Sequence, residues 1–324
     1  MAYFLGIDGG GTRTTAWLAD ETGKVLARLE AGPSNPLKAG FGAAERELLR
    51  LTRAALRQAG ILRSAPLRSR APILEAVCAG IAGVDRRAVH RPLFTWMRRH
   101  IPARHHLLTS DAALALATAV GDSPGIVVIA GTGSIAFARD NRGRLLRAGG
   151  WGIPFDDPGS GYDLGRGAVA AALQAFDGRA PHTRLTGRIC RALDLPDIAA
   201  VVSRKLEPQQ IAALFAQVEE AAEGGDLAAR HLCDRAARDL ASLAVALLKR
   251  AGWMRRSIPV VCTGGVFQSS TLIQRAFARQ LRRVAPLARV ELLRRAPVEG
   301  ALWLARRCAT APEWKASPQG GARS

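Results

Sequence analysis

One pattern, a strand, a glycine turn and a second strand, occurs twice in this chain, and it constrains the fold more than any other feature. The first copy spans Gly6–Thr15 and the second spans Ala130–Ala136. In each copy a D-x-x-G turn follows and leads into a third apolar run. The copies lie about 120 residues apart, the relation that an internal duplication leaves. The sequence therefore predicts two related β-meanders.

The glycine turns are suited to binding phosphate, because glycine lets backbone N–H groups approach phosphate oxygens closely. Neither common nucleotide loop fits them. The chain has no G-K-[ST] motif, and Thr14–Leu18, after the first turn, favours a strand where Rossmann and Walker turns open a helix. A third element, Cys262–Phe267, is again a strand that ends in glycines, and the flat adenine ring could lie against its turn. Together the three turns predict an ATP site, with Asp8 placed to hold Mg²⁺ directly or through water.

Bulk composition indicates a globular enzyme. The 324 residues are 48% apolar, enough for a substantial core, and no apolar run reaches the roughly 18 residues of a membrane span. The N-terminus lacks a basic region before its first apolar run, so we expect a strand there and not a signal peptide. Five scattered cysteines without C-x-x-C spacing disfavour disulfides and structural zinc. These features predict a cytoplasmic protein without a membrane partner.

The formal charge of +19 raises nucleic-acid binding as an alternative. The arginines are dispersed, however, and few aromatic residues lie between them to stack on bases. We therefore expect no specific nucleic-acid partner, and a basic surface that attracts anionic nucleotides. The sequence leaves the oligomeric state open, with a homodimer as one alternative.

The rest of the chain reads as alternating strands and helices. A strand near His105–Leu108 leads through Thr109-Ser110-Asp111 into an apolar helix over Ala112–Val120, where either Ser110 or Asp111 could be the helix cap. Helices are also predicted over Ile211–Glu223 and Leu227–Ala251, a basic loop over Leu62–Ala71, and a flexible tail over residues 309–324.

The motifs I-D-G-G-G-T, A-G-T-G-S and T-G-G-V-F resemble the phosphate-1, phosphate-2 and adenosine motifs of the sugar kinase–chaperone–actin superfamily of ATPases. Within it, the chain resembles the branch that holds N-acetylglucosamine kinase, bacterial glucosamine kinase and the BadF/BadG/BcrA/BcrD-type ATPases. The closer match is carried by these segments: Pro33-Ser34-Asn35, Thr109–Ala113, Gly149–Gly152, Asp156–Leu164, Asp177–Thr183 and Val298–Leu302.

The resemblance implies a two-lobed, actin-like (ribonuclease H-like) α/β fold, each lobe a mixed five-stranded sheet flanked by helices. It implies an N-terminal lobe over residues 1–118 that is completed by a helix over residues 298–308. The C-terminal lobe would span residues 119–297.

The resemblance also implies a function, ATP-dependent phosphorylation of the 6-hydroxyl of glucosamine or N-acetylglucosamine. Asp111 would be the general base and would contact the sugar; at a helix N-terminus, we expect the dipole to lower its pKa. The other implied sugar contacts are Asn35, Ser134, Gly150, Trp151, Gly152 and Asp157. The implied nucleotide contacts are Gly10, Gly11, Thr12, Gly131, Thr132, Gly133, Gly264, Gly265 and Ser269.

The chain departs from the family pattern at Pro158, where the family has the glutamate of G-D-E-G-S. In the acetylated-sugar kinases this neighbourhood touches the 2-substituent, so the choice between glucosamine and N-acetylglucosamine stays open. A second function in the same branch is that of an ATPase activator of a reductase or dehydratase partner. Such activators share an iron–sulfur cluster between subunits through paired cysteines, which this sequence lacks.

Overall fold

The computed structural model describes residues 1–62, 72–153 and 155–310. Most of the predicted basic loop over Leu62–Ala71 lies outside the described residues. The last helix extends to Thr310, two residues into the predicted tail, and the rest of that tail lies outside the described residues. No helix in the described ranges is both long and apolar enough to cross a lipid bilayer.

Short strands and helices alternate along the chain. The strands are β1 (Tyr3–Gly9), β2 (Thr14–Asp20), β3 (Val25–Ala31), β4 (Leu74–Ile81), β5 (Ala103–Thr109), β6 (Gly125–Ala130), β7 (Ser134–Arg139), β8 (Leu145–Gly149), β9 (Pro259–Thr263) and β10 (Arg289–Leu292). The helices are α1 (Pro36–Ala39), α2 (Phe41–Gln58), α3 (Arg87–His100), α4 (Asp111–Val120), α5 (Gly161–Phe176), α6 (Leu185–Leu193), α7 (Pro208–Ala213), α8 (Phe215–Glu223), α9 (Leu227–Arg250), α10 (Gly265–Ser269), α11 (Thr271–Val284) and α12 (Pro297–Thr310). A 3₁₀ helix covers Ala199–Ser203.

The strands form two five-stranded sheets with the same order. One sheet reads β3-β2-β1-β4-β5, and the other reads β8-β7-β6-β9-β10. In each sheet the two strands of the glycine hairpin are antiparallel, β1 with β2 and β6 with β7. The hairpin's first strand then pairs in parallel with a later strand, β1 with β4 and β6 with β9. The predicted fold class, mixed five-stranded sheets flanked by helices, is confirmed, and the matching order supports the predicted duplication.

The described chain forms two compact units, each containing one sheet. Unit 1 comprises residues 1–123, 141–145 and those from 294 onward; unit 2 comprises residues 124–140 and 146–293. In unit 1, one apolar layer packs α2 and α3 on the sheet, and another packs α4 and α12 on it. In unit 2, the central strands pack against α5, α9 and α11. Each unit thus has its own core.

Helix α12 returns from the end of the described chain to pack directly on the first strand. Its backbone comes so close to β1 that a Cβ on Gly6 would lie 2.6 Å from the Leu302 backbone nitrogen. On its other side, a Cβ on Gly300 would lie 2.4 Å from the Leu114 carbonyl oxygen of α4. The absence of side chains at these two positions lets α12 pack between β1 and α4.

In unit 2, the Asp226 carboxylate joins two segments that are distant in sequence. Its oxygens accept hydrogen bonds from the Thr183 hydroxyl at 2.9 and 3.0 Å, from the Arg184 backbone nitrogen at 2.8 Å and from the Ala229 backbone nitrogen at 2.9 Å. Burial acts to raise the Asp226 pKa, but the hydrogen bonds from Ala229, Arg184 and Thr183 outweigh it, so the pKa lies below its usual range. Thr183 is the last residue of the P-H-T sequence, which belongs to a segment that carries the family resemblance. Its hydroxyl binds Asp226 and so helps to hold two parts of unit 2 together.

One predicted helix is in fact two. The segment Ile211–Glu223 breaks at Leu214 into α7 and α8. A Cβ on Gly165 of α5 would lie 1.9 Å from the Ile211 carbonyl oxygen, so α7 packs with its backbone on α5. The adjacent residues Leu214 and Phe215 are both buried. A straight amphipathic helix that packs on a single surface does not easily bury two adjacent side chains. Tertiary packing therefore overrides the continuous helical pattern.

We expect Gly6→Ala to destabilise unit 1, because the new methyl group would push α12 away from β1. Overpacking of this kind costs about 1–3 kcal/mol in the free energy of unfolding. The matched control is Gly42→Ala in α2, where the nearest atom is the flexible Arg46 guanidinium at 3.4 Å. Urea unfolding should show a lower free energy of unfolding than wild type for Gly6→Ala, and an equal or higher one for Gly42→Ala. Equal free energies for the two variants would contradict this packing.

We expect Asp226→Ala to lower the free energy of unfolding by about 1–3 kcal/mol, because three hydrogen-bond donors lose their acceptor. Since the folded-state pKa is below the unfolded one, the carboxylate's contribution is fully present above the unfolded-state pKa. It is lost as pH falls through the folded-state pKa. Urea unfolding at pH 7 and at pH 3 checks this: the gap between wild type and variant should narrow at pH 3, and a constant gap would contradict it.

Candidate functional site

In unit 1, three parallel strands end at one edge of the sheet. Asp8 of β1 pairs with Gly80 of β4, and Gly80 pairs with Thr109 at the end of β5. Asp111 follows Thr109 by two residues as the first residue of α4. Because parallel strands place their carboxyl ends at the same edge, Asp8 and Asp111 lie near one another.

The glycine turn between β1 and β2 is held by backbone hydrogen bonds. Within the turn, the Gly10 nitrogen donates to the Arg13 carbonyl at 2.8 Å. The Gly10 carbonyl accepts bonds from the backbone nitrogens of Ser34 and Asn35, both at 3.2 Å. The Thr12 side chain is exposed. The turn is thus fixed to the segment that follows β3, with its tip open to solvent.

Asn35 is the N-cap of the short helix α1. Its Oδ1 accepts a hydrogen bond from the Leu37 backbone nitrogen at 2.9 Å, and the residue is buried. The amide nitrogen of its side chain makes no hydrogen bond within the described ranges. Asn35 is therefore the turn residue that the local sequence suggests, and it keeps an oriented donor for a ligand.

The cap of α4 is Ser110, not Asp111. The buried Ser110 hydroxyl accepts a hydrogen bond from the Ala113 backbone nitrogen at 3.3 Å. Asp111 is exposed, and one carboxylate oxygen accepts a bond from the Ala112 nitrogen at 3.0 Å. Ser110 therefore caps the helix, and the Asp111 carboxylate is not needed for capping.

The expected lowering of the Asp111 pKa by the helix dipole is wrong. Although the side chain reaches solvent, the protein around its carboxyl group removes part of its hydration, and this desolvation raises the pKa. The hydrogen bond from Ala112 opposes the shift, and the nearby charge of Asp85 adds to it. A raised pKa makes Asp111 a stronger base than an ordinary aspartate.

Desolvation also raises the pKa of Asp8, to about 6. The negative charge of Asp111 is the next largest cause, and the positive charge of Arg13 partly offsets it. The two carboxylates therefore repel one another across this edge of the sheet. A cation or a transferred proton would relieve that repulsion.

In unit 2, the second glycine turn lies beside the predicted adenosine turn. Ile129 of β6 pairs with Thr263 of β9, so both strands end together. Gly264 follows with φ of 97°, and a Cβ there would lie 2.3 Å from the Ala130 carbonyl oxygen. Only glycine fits this position, for both backbone and packing reasons. Gly265 is exposed, and its carbonyl accepts a bond from the Ser269 hydroxyl at 2.9 Å.

The turn over Gly131–Gly133 is held in the same way as the first. The Gly131 nitrogen donates to the Gly133 carbonyl at 2.8 Å. The carbonyls of Gly131 and Thr132 accept bonds from the nitrogens of Gly161 and Tyr162, at 2.7 and 3.3 Å, in the first turn of α5. In both units, carbonyls of the glycine turn are thus bound by N–H groups at or near a helix start.

Asp157 is a buried carboxylate in a rare backbone conformation. Its φ is 66°, in the left-handed region that few residues other than glycine adopt. Burial and the neighbouring Asp156 raise its pKa, while backbone hydrogen bonds from Ser134 and Gly152 lower it. A Cβ on Gly133 would lie 2.7 Å from an Asp157 carboxylate oxygen. Such strain is concentrated at functional sites.

Ser134 has a structural contact of its own. Its buried hydroxyl donates to the Pro158 carbonyl at 2.7 Å. Thr14 occupies the matching place in unit 1, as the first residue of the hairpin's second strand, and its hydroxyl lies 2.7 Å from the Gly32 carbonyl and 2.8 Å from the Ser34 hydroxyl. Both hydroxyls hold a nearby loop in place. Because the Ser134 hydroxyl already donates its hydrogen to Pro158, a sugar could bind Ser134 only by donating a hydrogen bond to its oxygen.

Trp151 is 72% exposed in the loop over Gly149–Gly152, which is more than a core tryptophan would be. The Arg147 guanidinium stacks on its ring, 4.7 Å from the centroid, and donates to the carbonyls of Gly149 and Gly150. The Trp151 backbone nitrogen donates to the Asp156 carboxylate at 3.2 Å. The backbone at Gly150 and Gly152 has positive φ, 75° and 110°. The loop thus presents an aromatic ring to solvent on a constrained backbone.

The sequence matches the BadF/BadG/BcrA/BcrD ATPase family over residues 5–305. The chain belongs to this family. It is 31% identical to an N-acetylmuramic acid/N-acetylglucosamine kinase of Clostridium acetobutylicum over 94% of this chain and 99% of that protein. It is 28% identical to a glucosamine kinase of Vibrio cholerae over 76% of this chain and 81% of that protein.

A solved structure agrees with the family assignment. A candidate N-acetylglucosamine kinase of Chromobacterium violaceum superposes with a TM-score of 0.77, at 30% identity, over 94% of this chain and 99% of that chain. The two chains therefore share a fold over most of their length.

The cysteines of this family member are poor candidates for a cluster shared between subunits. All five are free thiols; Cys78, Cys233 and Cys262 are buried. Burial raises the pKa of Cys233 to about 12 and that of Cys262 still further. Because these three side chains lie within the cores of the two units, they are poorly placed to reach a cluster shared with a second subunit.

Arg147 is the clearest site residue that the sequence analysis missed. It precedes the G-G-W-G motif by two residues, and its signal is weak because arginine is frequent throughout this chain.

Proposed function

We propose that this protein is an ATP-dependent amino-sugar kinase that transfers the γ-phosphate of ATP to the 6-hydroxyl of glucosamine or N-acetylglucosamine. One observation carries the proposal: Asp111 begins a helix already capped by Ser110, and its exposed carboxylate has a raised pKa. A residue kept only for structure would not need this arrangement. The kinase names of the family relatives support the same activity.

The glycine turns fit the phosphates of ATP, and family membership supports ATP as the nucleotide. Gly10, Gly11 and Thr12 in unit 1 would bind phosphate through backbone N–H groups and a hydroxyl, as would Gly131, Thr132 and Gly133 in unit 2. Gly264, Gly265 and Ser269 would line the nucleoside.

Asp8 fits a role in holding Mg²⁺. Its pKa is raised first by desolvation and then by the negative charge of Asp111, and a bound divalent cation would favour the ionised form against both effects. Within the described ranges, no three His, Cys, Asp or Glu side chains group closely enough to hold a metal by themselves. Magnesium typically takes one or two carboxylates and completes its shell with water and substrate phosphates, so a single aspartate suffices.

In the proposed reaction, Asp111 accepts the proton of the sugar hydroxyl as that oxygen forms a bond to the γ-phosphorus. The bond between the γ-phosphorus and the bridging oxygen breaks, ADP leaves, and the proton passes from Asp111 to solvent. Bound Mg²⁺ would neutralise charge on the phosphates during transfer. The backbone N–H groups of the glycine turns would do the same from fixed positions.

Sugar binding is proposed for Asn35, Trp151 and Asp157, with the backbone of Gly150 and Gly152 and the Ser134 oxygen. The Asn35 amide nitrogen is a free donor, and the Trp151 ring is an exposed apolar face, so both suit a sugar ring with its hydroxyls. Asp157 is already an acceptor of backbone N–H groups, so its role would include shaping the loop. Among the relatives, both acetylated and free amino sugars occur as named substrates, and Pro158 leaves the choice open.

We expect Asp111→Asn to lower sugar phosphorylation by at least about a hundredfold, because general-base catalysis contributes about 10²–10⁴-fold. The amide keeps the shape of the side chain but cannot accept the proton. Initial rates of ADP release with saturating sugar measure the loss, and titration with a non-hydrolysable ATP analogue should show unchanged affinity.

The matched control for that variant is Asp122→Asn. Asp122 lies just after α4 on the surface of unit 1 and pairs with Arg307 at 3.2 Å. It should retain the wild-type rate. Near-normal turnover of Asp111→Asn, or an equal loss in both variants, would remove Asp111 from the role of base.

We expect Trp151→Ala to raise the sugar KM about tenfold, equivalent to about 1.4 kcal/mol of lost binding, with little change in kcat. The ring is largely exposed, so its loss should not unfold the protein. Phe176→Ala is the control, since Phe176 is also exposed, at 58%, but ends α5 away from the glycine loop. An unchanged sugar KM in Trp151→Ala would exclude the ring from the sugar site.

A further inference from the structure

Lys38 lies against the first glycine turn, and the proposed function has not used it. A Cβ on Gly11 would lie 3.0 Å from the Lys38 ammonium nitrogen and 3.0 Å from its Cδ. The lysine side chain therefore extends across the turn, and its charge lies beside the Gly11 backbone. The side chain is exposed, and its ammonium forms no ion pair or hydrogen bond with any residue in the described ranges.

The position of Lys38 is set by the same contacts that hold the turn. Lys38 belongs to α1, whose N-cap, Asn35, donates its backbone nitrogen to the Gly10 carbonyl at 3.2 Å. The Lys38 backbone nitrogen in turn donates to the Asn35 carbonyl at 3.1 Å. Two backbone hydrogen bonds, made through Asn35, thus connect Lys38 to the turn, so the Lys38 backbone has a fixed position relative to it.

The basic residue beside the turn is a lysine, which is rare in this chain. Lysine occurs at only five positions, and the other basic side chains are arginines. The neighbouring Arg13 has a carboxylate partner, Glu30, at 3.8 Å, whereas Lys38 has none in the described part of the chain. Lysine acts as a compact point charge for phosphate and does not need a planar, two-pronged partner.

We propose that Lys38 is a phosphate-binding residue that contacts the phosphates of ATP at the Gly10–Thr12 turn. The inference rests on the proposed nucleotide site and extends it to a residue outside the glycine motif. Backbone N–H groups alone carry partial charges, and a full positive charge beside them would favour a polyphosphate over an uncharged nucleoside.

The test compares Lys38→Met, which keeps the length and loses the charge, with Lys38→Arg, which keeps the charge. Lys24→Met is the control, because Lys24 lies in the turn between β2 and β3 at the other end of the hairpin. Calorimetric titration with adenylyl imidodiphosphate and with adenosine, at two salt concentrations, gives a binding readout that does not depend on turnover.

We expect Lys38→Met to raise the Kd of the triphosphate analogue about tenfold and to leave the Kd of adenosine unchanged. Its triphosphate affinity should also fall less with added salt than that of the wild type. Lys38→Arg should recover most of the affinity, and Lys24→Met should match the wild type. An unchanged Kd for the triphosphate analogue, or an equal rise for both ligands, would overturn the proposal.

The kinase activity and the phosphate contact of Lys38 can be tested independently. If wild-type protein binds the triphosphate analogue but no sugar stimulates ATP consumption, the proposed kinase activity fails while the Lys38 comparison still decides its own question. If sugar phosphorylation is present but Lys38→Met binds both ligands normally, the kinase proposal stands and Lys38 is a solvated surface residue.

Discussion

Parallel pairing of β1, β4 and β5 is the constraint on which the chemistry of unit 1 depends. It ends three strands at one edge of the sheet and so brings Asp8 near Asp111 although about 100 residues separate them. Desolvation is the main cause of the raised pKa of Asp8, and the charge of Asp111 adds to it. The packing that supports this pairing is close, since α12 lies directly on β1 at Gly6. Unit 1 thus holds two carboxylates in an arrangement that is unfavourable without a ligand.

The two copies of the meander differ at one position beside the glycine turn. Gly9 and Ala130 occupy matching positions, because each pairs with the first residue of the hairpin's second strand. The residue before each of them is therefore Asp8 in unit 1 but Ile129 in unit 2. The anchoring hydroxyl is kept in both, as Thr14 and Ser134. Shared features thus maintain the turn, whereas the acidic side chain is confined to unit 1.

Much of this could be predicted from sequence because strands and turns have local signals. The two meanders and the five-stranded sheets follow from alternation, glycine punctuation and the family resemblance. The break at Leu214 could not be predicted, because it depends on tertiary packing that buries the adjacent residues Leu214 and Phe215 together. The pKa direction of Asp111 was wrong for a similar reason: the helix N-terminus is visible in the sequence, but the desolvating protein around the carboxyl is not. The positions of Lys38 beside Gly11 and of Arg147 on the Trp151 ring are contacts of the folded chain, and neither residue belongs to a glycine motif.

The most direct test of the account is phosphate transfer from ATP to sugars by the purified protein. The panel would contain glucosamine, N-acetylglucosamine, N-acetylmannosamine, glucose and N-acetylmuramic acid, with ³¹P–¹H correlation spectra of each product. We expect ATP consumption that depends on glucosamine or N-acetylglucosamine, and a product whose phosphorus couples to the protons on carbon 6. ATP hydrolysis that no amino sugar stimulates, or a phosphate on another position, would contradict it.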